Sequence, residues 1–180
     1  MFLALLPHGT APAAVQGVAA RVERPAPESL QITYALDGSL AQLRIPAPLP
    51  PRPGTDLWQH TCFEIFIAER GMPAYHEFNF SPSGEWAAYS FSAYRRAAPL
   101  AAPGESPRIS VRRTAGRLQL DVALRLDAPL AAAGALVAGI AAVIEDASGA
   151  LSYWALHHPA GKPDFHRAET FTYGIDAIRN

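Results

Sequence analysis

Between Leu57 and Arg95 the chain gathers side chains that could do chemistry on a small polar molecule. Glu64 and Glu77 fall in period-two stretches. Two carboxyls on one sheet face could serve as general acid and base, as in glycoside cleavage, or accept hydrogen bonds from sugar hydroxyls. They could also be the ordinary charges of a solvated strand. Asn79 is unusual in a strand, where Asn is depleted, and its amide offers one hydroxyl both a donor and an acceptor. Trp86 and Tyr94, assigned the same parity, would supply stacking platforms for the apolar face of a pyranose ring. Arg95 ends the segment with a planar fork suited to a carboxylate or phosphate, although Arg96 beside it leaves open two arginines that merely solvate a strand end.

A second concentration runs from Tyr153 to His166. His157, His158, His166 and Asp164 are donor types that suit zinc or similar ions. Adjacent His157 and His158 on a strand point to opposite faces and do not readily share one ion, so no metal site is expected. The favoured reading has His157, Asp164 and His166 hydrogen-bonding across the mouth of a groove. The single cysteine, Cys62, excludes an internal disulfide and a multi-Cys zinc site, and reads as a buried, inert thiol. There is no Gly-rich phosphate loop, no GxSxG elbow and no HExxH helix, a silence that favours binding over catalysis.

These residues need elements to hold them. In the first core stretch Thr61, Phe63, Ile65 and Ile67 alternate with Cys62, Glu64, Phe66 and Ala68; in the second His76, Phe78 and Phe80 alternate with Tyr75, Glu77 and Asn79. In the third, Tyr89 and Phe91 are set against Trp86, Ser90, Ser92 and Tyr94. Period two predicts strands with one apolar and one polar, aromatic-studded face. Further strands are predicted over Phe2–Leu6, Val15–Glu23, Leu30–Leu36, Leu40–Ile45, Arg108–Arg113, Leu118–Leu126, Leu136–Ile144 and Leu151–His157. Asp37-Gly38, Ser81–Gly84, Ala115-Gly116 and Ser148-Gly149 supply turn chemistry between them. Val137–Ile144 is apolar on both faces, which predicts a strand with something covering its outer side. Pro46–Asp56 and Ala97–Pro107 read as loops, and Ala128–Ala135 as a helical turn limited by Pro129 and Gly134. Many short strands with such turns predict an all-β, two-sheet antiparallel sandwich spanning residues 1–180 as a single domain.

The 15 basic and 16 acidic residues nearly cancel and no basic stretch stands out, which argues against nucleic acid as a partner. The apolar start MFLALLPHG lacks a basic leading region and is too short to span a bilayer, so a soluble, cytoplasmic protein without a membrane partner is expected.

The run Leu57-Trp58-Gln59-His60-Thr61-Cys62-Phe63-Glu64-Ile65-Phe66, then Tyr75…Glu77-Phe78-Asn79-Phe80-Ser81-Pro82-Ser83-Gly84…Trp86…Tyr89…Phe91…Tyr94-Arg95, resembles the bacterial DOMON-like proteins. Tyr153–His157 and Pro163–His166 extend the resemblance over most of the chain. The wider group includes family 9 carbohydrate-binding modules and haem- or sugar-binding DOMON domains. The resemblance implies a β-sandwich of jelly-roll character that holds a small ligand on one concave sheet, in family 9 a sugar between aromatic rings. Carried over, Glu64 matches the acidic position of the first core strand, Glu77 and Asn79 the polar positions of the second, and Trp86, Arg95 and Trp154 aromatic and basic positions. Haem-binding members use Met and His. Here Met72 falls in a turn and His76 on the apolar parity, so no cofactor is expected. The leading expectation is therefore a non-catalytic module for a small ligand, a saccharide above all. The alternatives are a carbohydrate-active enzyme using Glu64 and Glu77, or a module that docks a partner protein.

Overall fold

The computed structural model describes residues 1–99 and 105–175. The strands are β1 (Leu3–Pro7), β2 (Val15–Ala26), β3 (Ser29–Gly38), β4 (Arg52–Pro53), β5 (Cys62–Glu69), β6 (Tyr75–Phe80), β7 (Glu85–Ala93), β8 (Arg96–Ala98), β9 (Arg108–Arg113), β10 (Arg117–Arg125), β11 (Leu136–Glu145), β12 (Leu151–Ala155) and β13 (Tyr173–Ile175). Among the described residues one short α-helix, α1 (Ala128–Ala132), interrupts them; Asp127 caps it by accepting from the Leu130 N–H. Hydrogen bonding follows one path, β4-β7-β6-β5-β11-β12-β1-β2-β3-β10-β9, with β13 added to β11 and β8 to β7. Among the described residues all strand pairings are antiparallel except β4 with β7, so this is a curled mixed sheet.

The curl turns at β1. Leu3–Leu5 pair with β2, whereas Leu6 and Pro7 pair with β12. Alternate side chains of both arms then meet in a single core: Ile32, Tyr34 and Leu36 from β3, Leu118 and Leu120 from β10, Phe63, Ile65 and Ile67 from β5, Ile140 and Ile144 from β11. Tyr34 crosses that core, and its hydroxyl donates to the backbone carbonyl of Glu64 at 2.9 Å. This bond fixes β5 at the residue that matters most on its other face.

That other face is covered, as the two-sided apolar character of β11 requires. Phe66, Tyr75, Ala141 and Val143 form a second cluster with Phe165, and Phe171 packs against it. Gly139 makes the close approach possible: a Cβ there would stand 2.8 Å from Phe171 Cδ1. At the opposite end Leu57 packs on Cys62 and Ala87, and Cys62 is fully buried.

Leu40–Ile45, expected as a strand, instead forms a 3-10 turn at Leu40–Gln42 and a single bridge from Leu43 to Asp146. The alternation was there, but no neighbouring strand offers a continuous ladder. The Pro-rich loop contains two residues of edge strand at Arg52–Pro53, where Pro is tolerated because no inner ladder needs its N–H. Of the expected Ala97–Pro107 loop, Ala97 and Ala98 belong to β8, and residues 100–104 lie outside the described residues. Among the described residues no helix is long and apolar enough to cross a membrane.

Candidate functional site

Register decides which side chains share the outer face. Across β5 and β6, Glu64 pairs with Asn79 and Phe66 with Glu77; across β6 and β7, Glu77 pairs with Tyr89 and Tyr75 with Phe91. Glu64, Glu77, Tyr89 and Phe91 therefore point the same way. Glu64 and Glu77 are diagonal neighbours, about 7–8 Å apart at Cα by sheet geometry. On β11 and β12, Val143 and Tyr153 pair and continue the same surface.

Above this face lies a cavity of about 600 Å³. Its floor is Glu64, Phe66, Glu77, Tyr89, Phe91 and Tyr153, and its walls are Asp56 and Trp58 on one side and Arg95 and Lys162–His166 on the other. Trp58 belongs to a 3-10 turn, Leu57–Gln59, whose Leu57 is buried, which leaves the next residue turned outward and 48% exposed. Among the described residues the only non-glycine positive φ angles are those of Asp56 and Arg95, both 53°. Both residues line the cavity. Left-handed backbone at such residues costs on the order of 1–3 kcal/mol and clusters where function demands it.

The wall is tied down by hydrogen bonds. Asp164 accepts from Tyr94 Oη at 2.5 Å, from Arg95 Nη2 at 2.9 Å and from the His166 N–H at 3.2 Å. The Arg95 N–H donates to Tyr75 Oη at 3.1 Å, and the Tyr75 hydroxyl lies 2.9 Å from His166 Nδ1. On its other side His166 Nε2 stands 3.6 Å from Glu77 Oε2. On the floor Asn79 Nδ2 donates to Glu77 Oε1 at 2.8 Å. Glu64 Oε1 and Asn79 Oδ1, both buried, find no partner among the described residues.

Burial dominates the electrostatics. It pushes the Glu64 carboxyl well above the usual carboxylate range, and the Glu77 charge adds to the effect. Burial also raises Glu77, against the opposing influence of the Asn79 hydrogen bond and the Arg95 charge. His166 is pushed down to about 4, first by burial and then by Arg95, with Asp164 opposing. Its approach to Glu77 is thus a neutral imidazole beside a carboxyl group at neutral pH, not an ion pair. Burial alone would raise Asp164, but the Tyr94 and Arg95 hydrogen bonds outweigh it and hold that carboxylate low. Cys62 is pushed well up by burial, consistent with an inert thiol.

Of the residues expected from sequence, Glu64, Glu77, Arg95, Asp164 and His166 converge on this cavity. Asn79 lies just beneath it and holds Glu77, and Tyr94 stands at the mouth, 57% exposed, bonded to Asp164. Three expectations are corrected. Trp86 pairs with Phe80 and is buried in the main core, because parity does not carry across the Ser81–Gly84 turn. Trp154 pairs with Ala142 and faces the same core, with its indole N–H donating to Ser152 Oγ at 3.1 Å; its neighbour Tyr153 takes the site. His157 is exposed, lies beyond the end of β12 and is not part of the cavity wall. Sequence reasoning missed Asp56, Trp58, Tyr89, Phe91, Tyr153 and Lys162. A tryptophan two residues past a Pro/Gly-rich loop was the available sequence signal for Trp58. Met72 is exposed in the turn after β5, and His76 lies on the opposite face, with Nε2 3.2 Å from Asp127 Oδ2. Among the described residues no group of three or more His, Cys, Asp or Glu side chains is arranged to hold a metal ion.

A search of solved structures finds similar folds. One is a candidate carbohydrate-binding protein from Bacteroides uniformis, with a TM-score of 0.63 at 12% identity, covering 95% of this chain and 84% of that one. Another is a family 9 carbohydrate-binding module from Caldicellulosiruptor kristjanssonii in complex with cellotriose, with a TM-score of 0.57 at 8% identity, covering 89% and 74%. This chain folds like a family 9 carbohydrate-binding module. A glucose complex of a family 9 module from the same organism matches with a TM-score of 0.55 at 8% identity, covering 84% of this chain and 72% of that one. No protein-family model matches the sequence, and no curated protein matches it. At these identities the likeness is one of fold, and the chemistry must be argued from the cavity.

Proposed function

We propose that the protein is a non-catalytic module that binds a small saccharide in the cavity above β5, β6 and β7. The observation that carries this reading is a floor of buried hydrogen-bonding carboxyls set among aromatic rings, in a space of small-molecule size. Carboxyl and amide oxygens suit ring hydroxyls, and Trp58, Tyr89 and Tyr153 suit the apolar faces of sugar rings. The family 9-like fold and the sugar complexes of its structural neighbours support it. In this reading the two arms of the sheet form a sandwich of jelly-roll character, and the chain belongs with the bacterial DOMON-like proteins. The test is a panel of glycans and sugar nucleotides followed by calorimetry and thermal shift. At least one member should bind at millimolar affinity or better, about 4 kcal/mol of binding free energy. A panel in which none raises the melting temperature at millimolar concentration overturns the reading.

The raised Glu64 and Glu77 carboxyls favour one second reading, general acid and base on a glycoside. Release of nitrophenol from nitrophenyl glycosides, abolished in Glu64→Gln, would support it. No turnover with any glycoside that binds would reject it.

A further inference from the structure

Among the described residues four carboxyl groups line the cavity, those of Asp56, Glu64, Glu77 and Asp164, against two cations, Arg95 and Lys162. Neither cation forms an ion pair with Glu64 or Glu77 among the described residues. The Arg95 guanidinium is committed to Asp164 at 2.9 Å, and its influence on Glu77 is exerted from there. Lys162 is exposed at the rim, where solvent screens its charge. The imidazole nearest the floor, His166, is neutral at neutral pH. Glu64 and Glu77 therefore share a buried floor that supplies no positive partner of its own.

The floor is also short of donors. Glu64 is 3% exposed, lines the cavity and has Oε1 without a partner, and Asn79, which pairs with Glu64 across the strands, has Oδ1 without one. A buried acceptor left unmet costs on the order of 1–3 kcal/mol, more when it is charged. A neutral sugar hydroxyl brings one proton to such a site. A primary ammonium brings three N–H donors to the open acceptors and a charge that holds as carboxylates two groups whose burial otherwise favours the protonated form. The Tyr89 ring, which lines the cavity with the carboxyls, adds an aromatic group beside which a cation is favoured.

We infer that the ligand is a cationic amino sugar whose ammonium group sits between Glu64 and Glu77. This rests on the saccharide reading and narrows it: the ring packs on the aromatic walls and the amine occupies the acidic floor. The N-acetylated form of the same sugar, which carries no charge and a bulkier group, is excluded from that floor.

The experiment is calorimetry at pH 7 with the full chain. The probes are glucosamine, galactosamine and mannosamine, the parent sugars glucose, galactose and mannose, N-acetylglucosamine, and ethanolamine as a plain amine. At least one amino sugar should bind ten-fold or more tightly than both its parent and N-acetylglucosamine, and the ratio should fall towards one in Glu64→Gln and Glu77→Gln. The wild-type ratio is itself decisive should either variant fail to fold. If a parent sugar binds as tightly as its amine, the ammonium site is wrong and the saccharide reading survives. If ethanolamine binds as tightly as the best amino sugar, the ammonium site stands and the saccharide reading falls. If no probe binds, the ammonium site is overturned, and the saccharide reading is decided by the wider glycan panel.

Discussion

His166 should make the fold sensitive to acid in a defined window. Its side chain is 15% exposed, and its pKa falls from the ordinary 6.5 to about 4. In that window the unfolded chain takes up a proton that the folded chain refuses, so stability falls as pH drops from about 6.5 and the loss is complete near 4. At about 1.4 kcal/mol for each pH unit, the effect is about 3 kcal/mol. That figure is a ceiling, because an ionised Glu77 oxygen 3.6 Å away would favour the imidazolium. Glu64 and Glu77 act in the opposite sense: their raised values give stability that is present at low pH and lost as pH rises through them. A comparison with His166→Asn removes their contribution, since both carboxyls remain in each protein. Urea unfolding at pH 7.5, 6.5, 5.5 and 4.5 supplies the free energies. The wild type should lose up to about 3 kcal/mol more than the variant between the two extremes, whatever their offset at pH 7.5. A difference in slope below about 1 kcal/mol, or an NMR titration that places the His166 midpoint near 6.5, would refute the buried, neutral imidazole on which the site geometry depends.

Two further perturbations separate site from scaffold. Trp58→Ala should weaken saccharide binding about ten-fold with little change in unfolding free energy, because the ring is half exposed at the cavity wall. Trp86→Ala should cost about 3–5 kcal/mol of stability by emptying part of the core; equal losses in the two variants would contradict the opposite facings assigned to them. Gly139→Ala should destabilise the protein by about 1–3 kcal/mol in denaturant titrations, since the new methyl meets the Phe171 ring at 2.8 Å; a neutral effect would mean that the Phe171 cover is not seated on β11.

The inner arms of the sheet were readable because each strand carries its own periodicity. β6 and β9 run over the residues their alternation predicts, and the two-sided apolar run of β11 announced the cover formed by Phe165 and Phe171. What periodicity cannot do is pass a face assignment from one strand to the next. The four residues Ser81–Gly84 set the β6–β7 register, and that register puts Tyr89 and Phe91, rather than Trp86, beside Glu77. Trp154 came from the resemblance rather than from alternation, and pairing with β11 puts Tyr153 instead on the cavity face. Trp58 lies in a 3-10 turn and Asp56 occupies its N-cap position, with no repeating pattern, so their place at the cavity comes from tertiary contacts such as the packing of Leu57. The strands β4, β8 and β13 are two or three residues long and exist only through their partners. Glu64 and Glu77 were legible because carboxyls inside apolar alternation stand out whatever the register, whereas Arg95 was read as a strand end and Asp164 and His166 from a local concentration of functional side chains.

The three tryptophans allow the most direct test of where a saccharide sits, because Trp58 lines the cavity while Trp86 and Trp154 face the core. A nitrogen–proton correlation spectrum of the indole groups, titrated with the saccharide that binds best in calorimetry, reports all three at once. The Trp58 signal should move with ligand concentration while those of Trp86 and Trp154 stay in place. Binding that leaves Trp58 still, or that shifts the two core indoles instead, would contradict a saccharide site above β5, β6 and β7.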